Sequence, residues 1–225
     1  MNTNLKREIK SFVLRSRMTL SQRLSHEQFW PLFGIEPPLN MLNFEELYQR
    51  SAPTILEIGF GMGGSLVELA EKNPEINFLG IEVHKPGIGA LLFSIQEKQL
   101  SNLKVICGDA KEWLNQHIAD HSLAAILLFF PDPWPKRRQQ KRRIVQTPFV
   151  DLVQRKLEAS GYFHLATDVM SYADHMRDVM SKHQGFGIIN TAGISLNLIR
   201  PKTKFEQKGE RLGHTITDLI YRKTI

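Results

Sequence analysis

The sequence predicts an α/β protein with a mostly parallel, doubly wound sheet, preceded by a basic amino-terminal extension. Three observations carry that expectation. From residue 54 onward, apolar runs of strand length alternate with stretches of helical periodicity. The run over 123–130 is apolar at every position, as a strand covered on both faces must be. Acidic residues then recur at or just past the carboxyl ends of successive strands, the edge along which open α/β sheets bind ligands.

The first strand is expected over 54–58, and the helix after it carries Leu66, Val67, Leu69 and Ala70. A second strand over 76–81 precedes a helix with Ile88, Leu91, Leu92 and Ile95 at i, i+3, i+4 and i+7, the spacing of one buried face. The third strand falls at 104–107 and the fourth at 123–130. Thr147-Pro148 reads as an N-cap followed by proline at the first helical position, opening a helix with Phe149, Leu152, Val153 and Leu157 inward and ended by Gly161. A fifth strand over 162–166, a helix over 171–183 and last strands over 186–190 and 215–221 complete the pattern. The domain boundary is placed near residue 50, which separates an extension over 1–50 from a domain over 51–225.

Composition bounds the class. With 225 residues, 42% apolar and 23% charged, the chain can bury the core of one domain of moderate size. No apolar run approaches a membrane span, and Met1 to Arg7 lack the hydrophobic core of a secretory signal, so a cytoplasmic location is expected. The single cysteine, Cys107, sits in an apolar run and reads as packing. The formal net charge of +6 is concentrated in two places. One is the start, where Lys6, Arg7, Lys10, Arg15, Arg17 and Arg23 face a single acid, Glu8; the other is the octet from Lys136 to Arg143, with six basic residues in eight. Both can neutralise phosphates of a polyanionic partner, and both can be solvated faces.

That octet follows Phe129-Phe130-Pro131-Asp132-Pro133-Trp134-Pro135 directly. Asp132 stands at the carboxyl end of the fourth strand between two prolines, which restrict the local backbone and hold its carboxylate in place. Phe130 and Trp134 can stack on a base or belong to the core. Glu57, Glu82, Asp109 and Asp168 stand at the ends of the other strands. Carboxylates crowded on one edge repel one another, and a ligand that is cationic or rich in hydroxyl and amino donors relieves that repulsion.

The glycine loop Gly59-Phe60-Gly61-Met62-Gly63-Gly64 contains a literal G-x-G-x-x-G, and Glu82 follows at the distance of a ribose-binding acid. A nicotinamide dinucleotide fits this formally. Glu57, two residues before Gly59, opposes the pyrophosphate such a ligand would place there. S-adenosylmethionine carries no phosphate; it has a sulfonium, an amino group, a ribose diol and an adenine amine, groups that Glu57, Glu82 and Asp109 can hold. A methyltransferase of Rossmann-like fold is therefore expected, with a nicotinamide redox enzyme as the alternative enzyme class and a non-catalytic RNA-binding module as the rival outside enzymology.

Several blocks in order then carry a resemblance. Glu57-Ile58-Gly59-Phe60-Gly61, Gly80-Ile81-Glu82-Val83-His84, Gly108-Asp109-Ala110, Phe130-Pro131-Asp132-Pro133-Trp134-Pro135-Lys136, Ala166-Thr167-Asp168 and Arg200-Pro201 with Thr203-Lys204-Phe205-Glu206 resemble the bacterial tRNA (guanine-N7-)-methyltransferase family. The resemblance covers roughly residues 10 to 223. It implies S-adenosylmethionine as methyl donor, bound around Glu57, Gly59, Gly61, Glu82, Asp109 and Asp132, with Asp132 catalytic. It implies that Lys136, Asp168, Thr203, Lys204, Phe205 and Glu206 bind the substrate guanosine, and that Arg138, Gln139, Gln140, Lys141, Arg142 and Arg143 bind RNA. It also implies tRNA as the partner, with the variable loop as target. One departure stands out: Ser16-Arg17-Met18-Thr19-Leu20-Ser21-Gln22 stands where the family often has a Gly-Arg-Leu-Thr-Lys-Gly-Gln-like stretch.

The chemistry fits the residue types. Guanine N7 has an in-plane lone pair and no proton to lose, so alignment rather than a general base is the main requirement. Asp132 and Asp168 can accept hydrogen bonds from guanine N1–H and the exocyclic amine. Thr203 and Glu206 close the pocket or form a capping box. His117 and His121, four apart, lack a third ligand of suggestive spacing, so no metal is expected. The sequence leaves monomer and homodimer both open.

Overall fold

The computed structural model describes residues 17–190, 200–201, 206 and 215–224. Among them the chain forms one sheet of eight strands in the order β1-β4-β3-β2-β5-β6-β8-β7. The strands are β1 (Gly34–Ile35), β2 (Thr54–Ile58), β3 (Asn77–Glu82), β4 (Leu103–Cys107), β5 (Leu123–Phe129), β6 (Leu157–Thr167), β7 (Phe186–Ile189) and β8 (Thr217–Lys223). Strands β1 to β6 pair in parallel, and the β6·β8 and β7·β8 pairs are antiparallel. The helices are α1 (Leu20–Phe33), α2 (Phe44–Tyr48), α3 (Gly64–Lys72), α4 (Lys85–Glu97), α5 (Ala110–Gln116), α6 (Thr147–Lys156) and α7 (Met170–Ser181).

The unbroken apolar strands are explained by the two cores. Alternate residues of one strand point to opposite faces, so Ile55, Phe78, Ala125 and Leu127 pack with Leu66, Leu69, Ile88 and Leu91 of α3 and α4. Leu56, Leu79, Ile126 and Leu128 pack with Trp113, Leu114, Phe149, Val153, Tyr172 and Met176 of α5, α6 and α7. Each fully buried side chain of this size contributes roughly 1.5–3 kcal/mol. The expected doubly wound architecture is the one observed.

Residues ahead of β2 join this frame. Thr19 caps α1 in a reciprocal box with Gln22, whose amide donates to Thr19 Oγ1 at 3.2 Å. Helix α1 lies against α4, where a Cβ on Gly89 would stand 2.4 Å from the Gln22 carbonyl oxygen, so only glycine permits the approach. Strand β1 adds to β4, and the Tyr48 hydroxyl donates to the Phe78 carbonyl at 2.5 Å. The basic residues Lys6 to Arg15 lie outside the described residues.

Two local expectations are corrected. Gln146, in extended geometry, occupies the N-cap of α6, and Thr147 is its first helical residue, with Pro148 following. Gly161 does not end that helix. The helix ends at Lys156 and β6 begins at once; Leu123 pairs with Leu157 but Ala125 with Tyr162, so Glu158, Ala159 and Ser160 bulge into solvent. Gly161 returns the strand to the sheet, where a Cβ would meet three backbone carbonyls at 3.1–3.2 Å.

Candidate active site

The carboxyl edge of the sheet gathers the five acids. Glu57 is in the last turn of pleat of β2, Glu82 ends β3, and Asp109, Asp132 and Asp168 lie just past β4, β5 and β6. Strand β2 lies between β3 and β5, which the chain reaches by winding in opposite directions, so Glu57 sits at the topological switch point.

The glycine loop beneath that edge takes its shape from backbone that L side chains avoid. Gly59, Gly61 and Gly63 have φ of 73°, 58° and 79°. A Cβ at Gly59 or Gly61 would meet nothing within 4 Å, so these two present open backbone surface. Glu82 pins the loop: its Oε2 accepts from the Gly61 amide at 2.9 Å, and its Oε1 accepts from the Val83 and His84 amides at 2.7 and 3.0 Å. The start of α4 packs directly on the loop, where a Cβ on Gly87 would stand 1.9 Å from the Gly61 carbonyl oxygen.

Glu57 is the electrostatic centre of the edge. Its side chain is 3% exposed and its Oε2 has no hydrogen-bond partner. Burial and the neighbouring Glu82 carboxylate push its carboxyl up to about 8, against the opposing pull of Arg200. A cationic ligand favours the ionised form of such a buried acid: the proton leaves to solvent and the carboxylate pairs with the cation. Asp109 caps α5, its Oδ1 accepting from Lys111 and Glu112 amides at 2.9 and 3.2 Å.

Asp132 occupies a tight loop held at both ends. Phe130 and Trp134, which flank the Pro131-Asp132-Pro133 turn, have φ of 50° and 43°. Positive φ at an aromatic residue costs on the order of 1–3 kcal/mol, and such strain gathers where a site over-determines its backbone. The Phe130 amide donates to the Ala166 carbonyl at 2.8 Å, which fixes the turn to β6 near the exposed end where Asp168 stands, partly buried. Asp132 is reachable from solvent, and partial burial raises its carboxyl above the ordinary aspartate value.

The basic octet folds as a 3-10 helix, Arg137–Arg142, capped by Lys136, whose carbonyl accepts from the Gln139 amide at 2.7 Å. Lys136, Arg137, Arg138, Lys141 and Arg142 are exposed, and Gln139 and Gln140 are partly so. Arg142 stacks over Trp134, 5.0 Å from the ring centroid. Arg143 stands apart in this group. It is 2% exposed, donates from Nε to the Pro133 carbonyl at 2.9 Å and from a terminal nitrogen to the Ser171 carbonyl at 3.3 Å, and lies over the Tyr172 ring. It faces protein rather than solvent and braces the Asp132 loop.

On the carboxyl-terminal side, Thr203, Lys204 and Phe205 lie outside the described residues. Glu206 is buried, and its carboxylate is held by the Arg200 guanidinium. Gly87, Arg143 and Arg200 are the residues whose roles sequence reasoning missed. For Gly87 the signal was present: a glycine two residues into an amphipathic helix is an unfavourable choice without a packing reason. Among the described residues, no group of three His, Cys, Asp or Glu side chains could hold a metal ion. A cavity of about 380 Å³ lies at the opposite edge of the sheet, bordered by Phe44, Thr54, Ser122 and Glu158, away from the acids.

Comparison with known proteins adds to this geometry. Residues 51–219 match a family model described as "Putative methyltransferase". A tRNA (guanine-N(7)-)-methyltransferase of Sodalis glossinidius (strain morsitans) is 52% identical over 222 residues, covering 97% of this chain and 93% of that protein. The enzyme of the same name from Escherichia coli (strain K12) is 51% identical over 220 residues, covering 96% and 92%. Among solved structures, the 16S rRNA methyltransferase KamB superposes with a TM-score of 0.57 at 12% identity, covering 84% of this chain and 97% of its own. A tRNA (m1A58) methyltransferase from Aquifex aeolicus gives 0.52 at 12% identity, covering 85% and 73%; both likenesses concern the fold.

Proposed function

This chain belongs to the tRNA (guanine-N7-)-methyltransferase family, and from that premise and the geometry of the acidic edge we propose how it transfers a methyl group from S-adenosylmethionine to N7 of a guanine in tRNA. The observation that carries the reading is Glu57: a buried carboxyl group with an unpartnered oxygen, beside Glu82 and close in sequence to the open glycine loop. S-adenosylmethionine supplies an electrophilic methyl group on a cationic sulfur, and Glu57, Gly59, Gly61, Glu82, Asp109 and Asp132 are the residues that would hold it. The Gly61 amide is already committed to Glu82, so the loop does not offer it to a pyrophosphate. That argues against the nicotinamide alternative.

The protein's contribution is positioning. The N7 lone pair needs no base to free it, so the site must align the guanine and exclude water, an effect that supplies up to roughly 10 kcal/mol. Asp132 and Asp168 accept hydrogen bonds from guanine N1–H and the exocyclic amine, which orients the base and favours the positive charge it gains on methylation. Lys136 and the segment containing Thr203, Lys204, Phe205 and Glu206 complete the guanosine pocket. In A-form RNA the N7 edge lies in a deep, narrow groove, so the target is a guanine outside regular duplex, consistent with the variable loop. Lys136, Arg138, Lys141 and Arg142, with Gln139 and Gln140, meet the RNA backbone on the exposed side of the 3-10 helix. A cytoplasmic location goes with that substrate; no helix among the described residues is long and apolar enough to cross a membrane.

Calorimetric titration tests the ligand assignment. S-adenosylmethionine and its demethylated product bind, and NADH does not; binding of NADH alone would reverse the reading.

A further inference from the structure

Arg200 connects parts of the molecule that the chain separates. Its guanidinium donates to Glu206 Oε2 at 2.5 Å and Oε1 at 3.1 Å, and to Asp218 Oδ1 at 2.9 Å and Oδ2 at 3.0 Å. Two carboxylates on one guanidinium fork form the strongest class of charge-assisted contact, with geometry that a lysine cannot reproduce. The Arg200 and Glu206 side chains are 7% and 9% exposed, so the pair is shielded from solvent. Asp218, on β8, also lies 2.8 Å from His164 Nε2 on β6; an ionised carboxylate can only accept, so that nitrogen carries the proton. Both partners hold the Asp218 carboxyl far below the ordinary aspartate value, although burial acts the other way.

The same guanidinium lies over the rings of Phe129 and Phe130, 5.6 and 5.4 Å from their centroids. Phe130 is the residue with positive φ that opens the Asp132 turn, and Phe129 in turn meets His164 edge-on at 5.0 Å. One buried cation therefore spans the root of the Asp132 loop, the antiparallel strand β8 and Glu206.

We propose that Arg200 is a positioning residue for methyl transfer, and that Glu206 acts through Arg200 rather than by offering a free carboxylate to the guanine. This deepens the guanosine-pocket reading given above and rests on it. Each carboxylate oxygen of Glu206 accepts from the guanidinium, so Arg200 orients Glu206 and Glu206 in turn holds Arg200 in place. Arg200 in turn holds the Phe130 end of the turn that aims Asp132.

A double-mutant cycle separates the two possibilities. Arg200→Lys, Glu206→Gln and the double variant are assayed for tRNA methylation at saturating donor, with folding followed by circular dichroism and donor binding by calorimetry. Each single variant should lower kcat/KM for tRNA by about tenfold or more, and the double variant should lose little beyond either single one. A purely structural role would lower melting temperature without that pattern. Multiplying losses in the double variant, or wild-type turnover in Arg200→Lys, would overturn the proposal and return Glu206 to direct contact with the base. Should Arg200→Lys fail to fold, Asp218→Asn, which loosens Arg200 from β8, is paired with Glu206→Gln, and multiplying losses again refute it. Wild-type protein that methylates no tRNA would instead refute the underlying function.

Discussion

Arg143 Nε donates to the carbonyl of Pro133 at 2.9 Å, so the last arginine of the basic octet is bonded to the loop that carries Asp132. Its neighbour Arg142 is exposed and stacks on Trp134. Adjacent cations thus have different tasks, and substitutions should separate them.

Replacing Arg138, Lys141 and Arg142 with alanine should weaken tRNA binding and leave donor affinity unchanged. If each meets one phosphate, the slope of log K against log salt shrinks by roughly 2, taking about 0.7 per contact on single strands. Arg143→Ala should leave that slope intact. It should instead lower stability by about 2–4 kcal/mol in urea denaturation, because the packed guanidinium is lost and the Pro133 and Ser171 carbonyls are left without their donor. An unchanged slope in the triple variant would make the exposed octet a solvated surface and shift the grip to the amino-terminal arm.

Asp132→Asn keeps the shape of the side chain and removes its charge. Turnover should fall by about tenfold or more, with the circular dichroism spectrum retained. Activity like the wild type would move the role elsewhere, with Asp168 the next candidate.

Glu57 predicts two pH dependences. Its carboxyl is raised from 4.5 to about 8 by burial and by Glu82, so between those values the folded protein holds a proton that the unfolded chain has lost. Its stabilising contribution is therefore full below the lower value, declines as pH rises and is gone above the upper one. Glu57→Gln should remove this decline in urea titrations between pH 4.5 and about pH 8. A cationic ligand requires the ionised form, so donor binding near neutral pH should release a proton. Calorimetry in two buffers of different ionisation enthalpy reads that release directly, and its presence in Glu57→Gln would assign it to another group.

Gly87→Ala should damage the donor site from outside it. The added Cβ meets the Gly61 carbonyl oxygen at 1.9 Å, so the glycine loop must move. Donor affinity should fall by roughly tenfold or more while tRNA binding without donor is retained. Wild-type donor affinity would show that the loop adapts.

The strands were legible because both faces of β2, β3 and β5 are covered, which forces apolar residues at nearly every position. The acids were legible because chain direction places each parallel strand's carboxyl end on one edge. Strand β1 was not, since two residues paired to β4 carry no periodicity. In sequence Gly161 reads as a helix stop because glycine serves both there and after a bulge, and only the pairing of Leu157 with Leu123 and of Tyr162 with Ala125 distinguishes them. Charge pattern likewise could not tell Arg142 from Arg143, because which side of a short 3-10 helix meets the protein is decided by Pro133, Ser171 and Tyr172, distant or structureless in sequence terms. Arg200 stood in a recognisable block, but its partners Asp218 and Phe129 lie on strands that only the fold brings together.

The most direct test incubates the protein with S-adenosylmethionine labelled in the methyl group and bulk tRNA, then digests the RNA to nucleosides. The label should appear in 7-methylguanosine, and Asp132→Asn should reduce it by about tenfold or more. Label in any other nucleoside, or none in the presence of intact protein and donor, would contradict the assignment of this acidic edge to methylation of guanine N7.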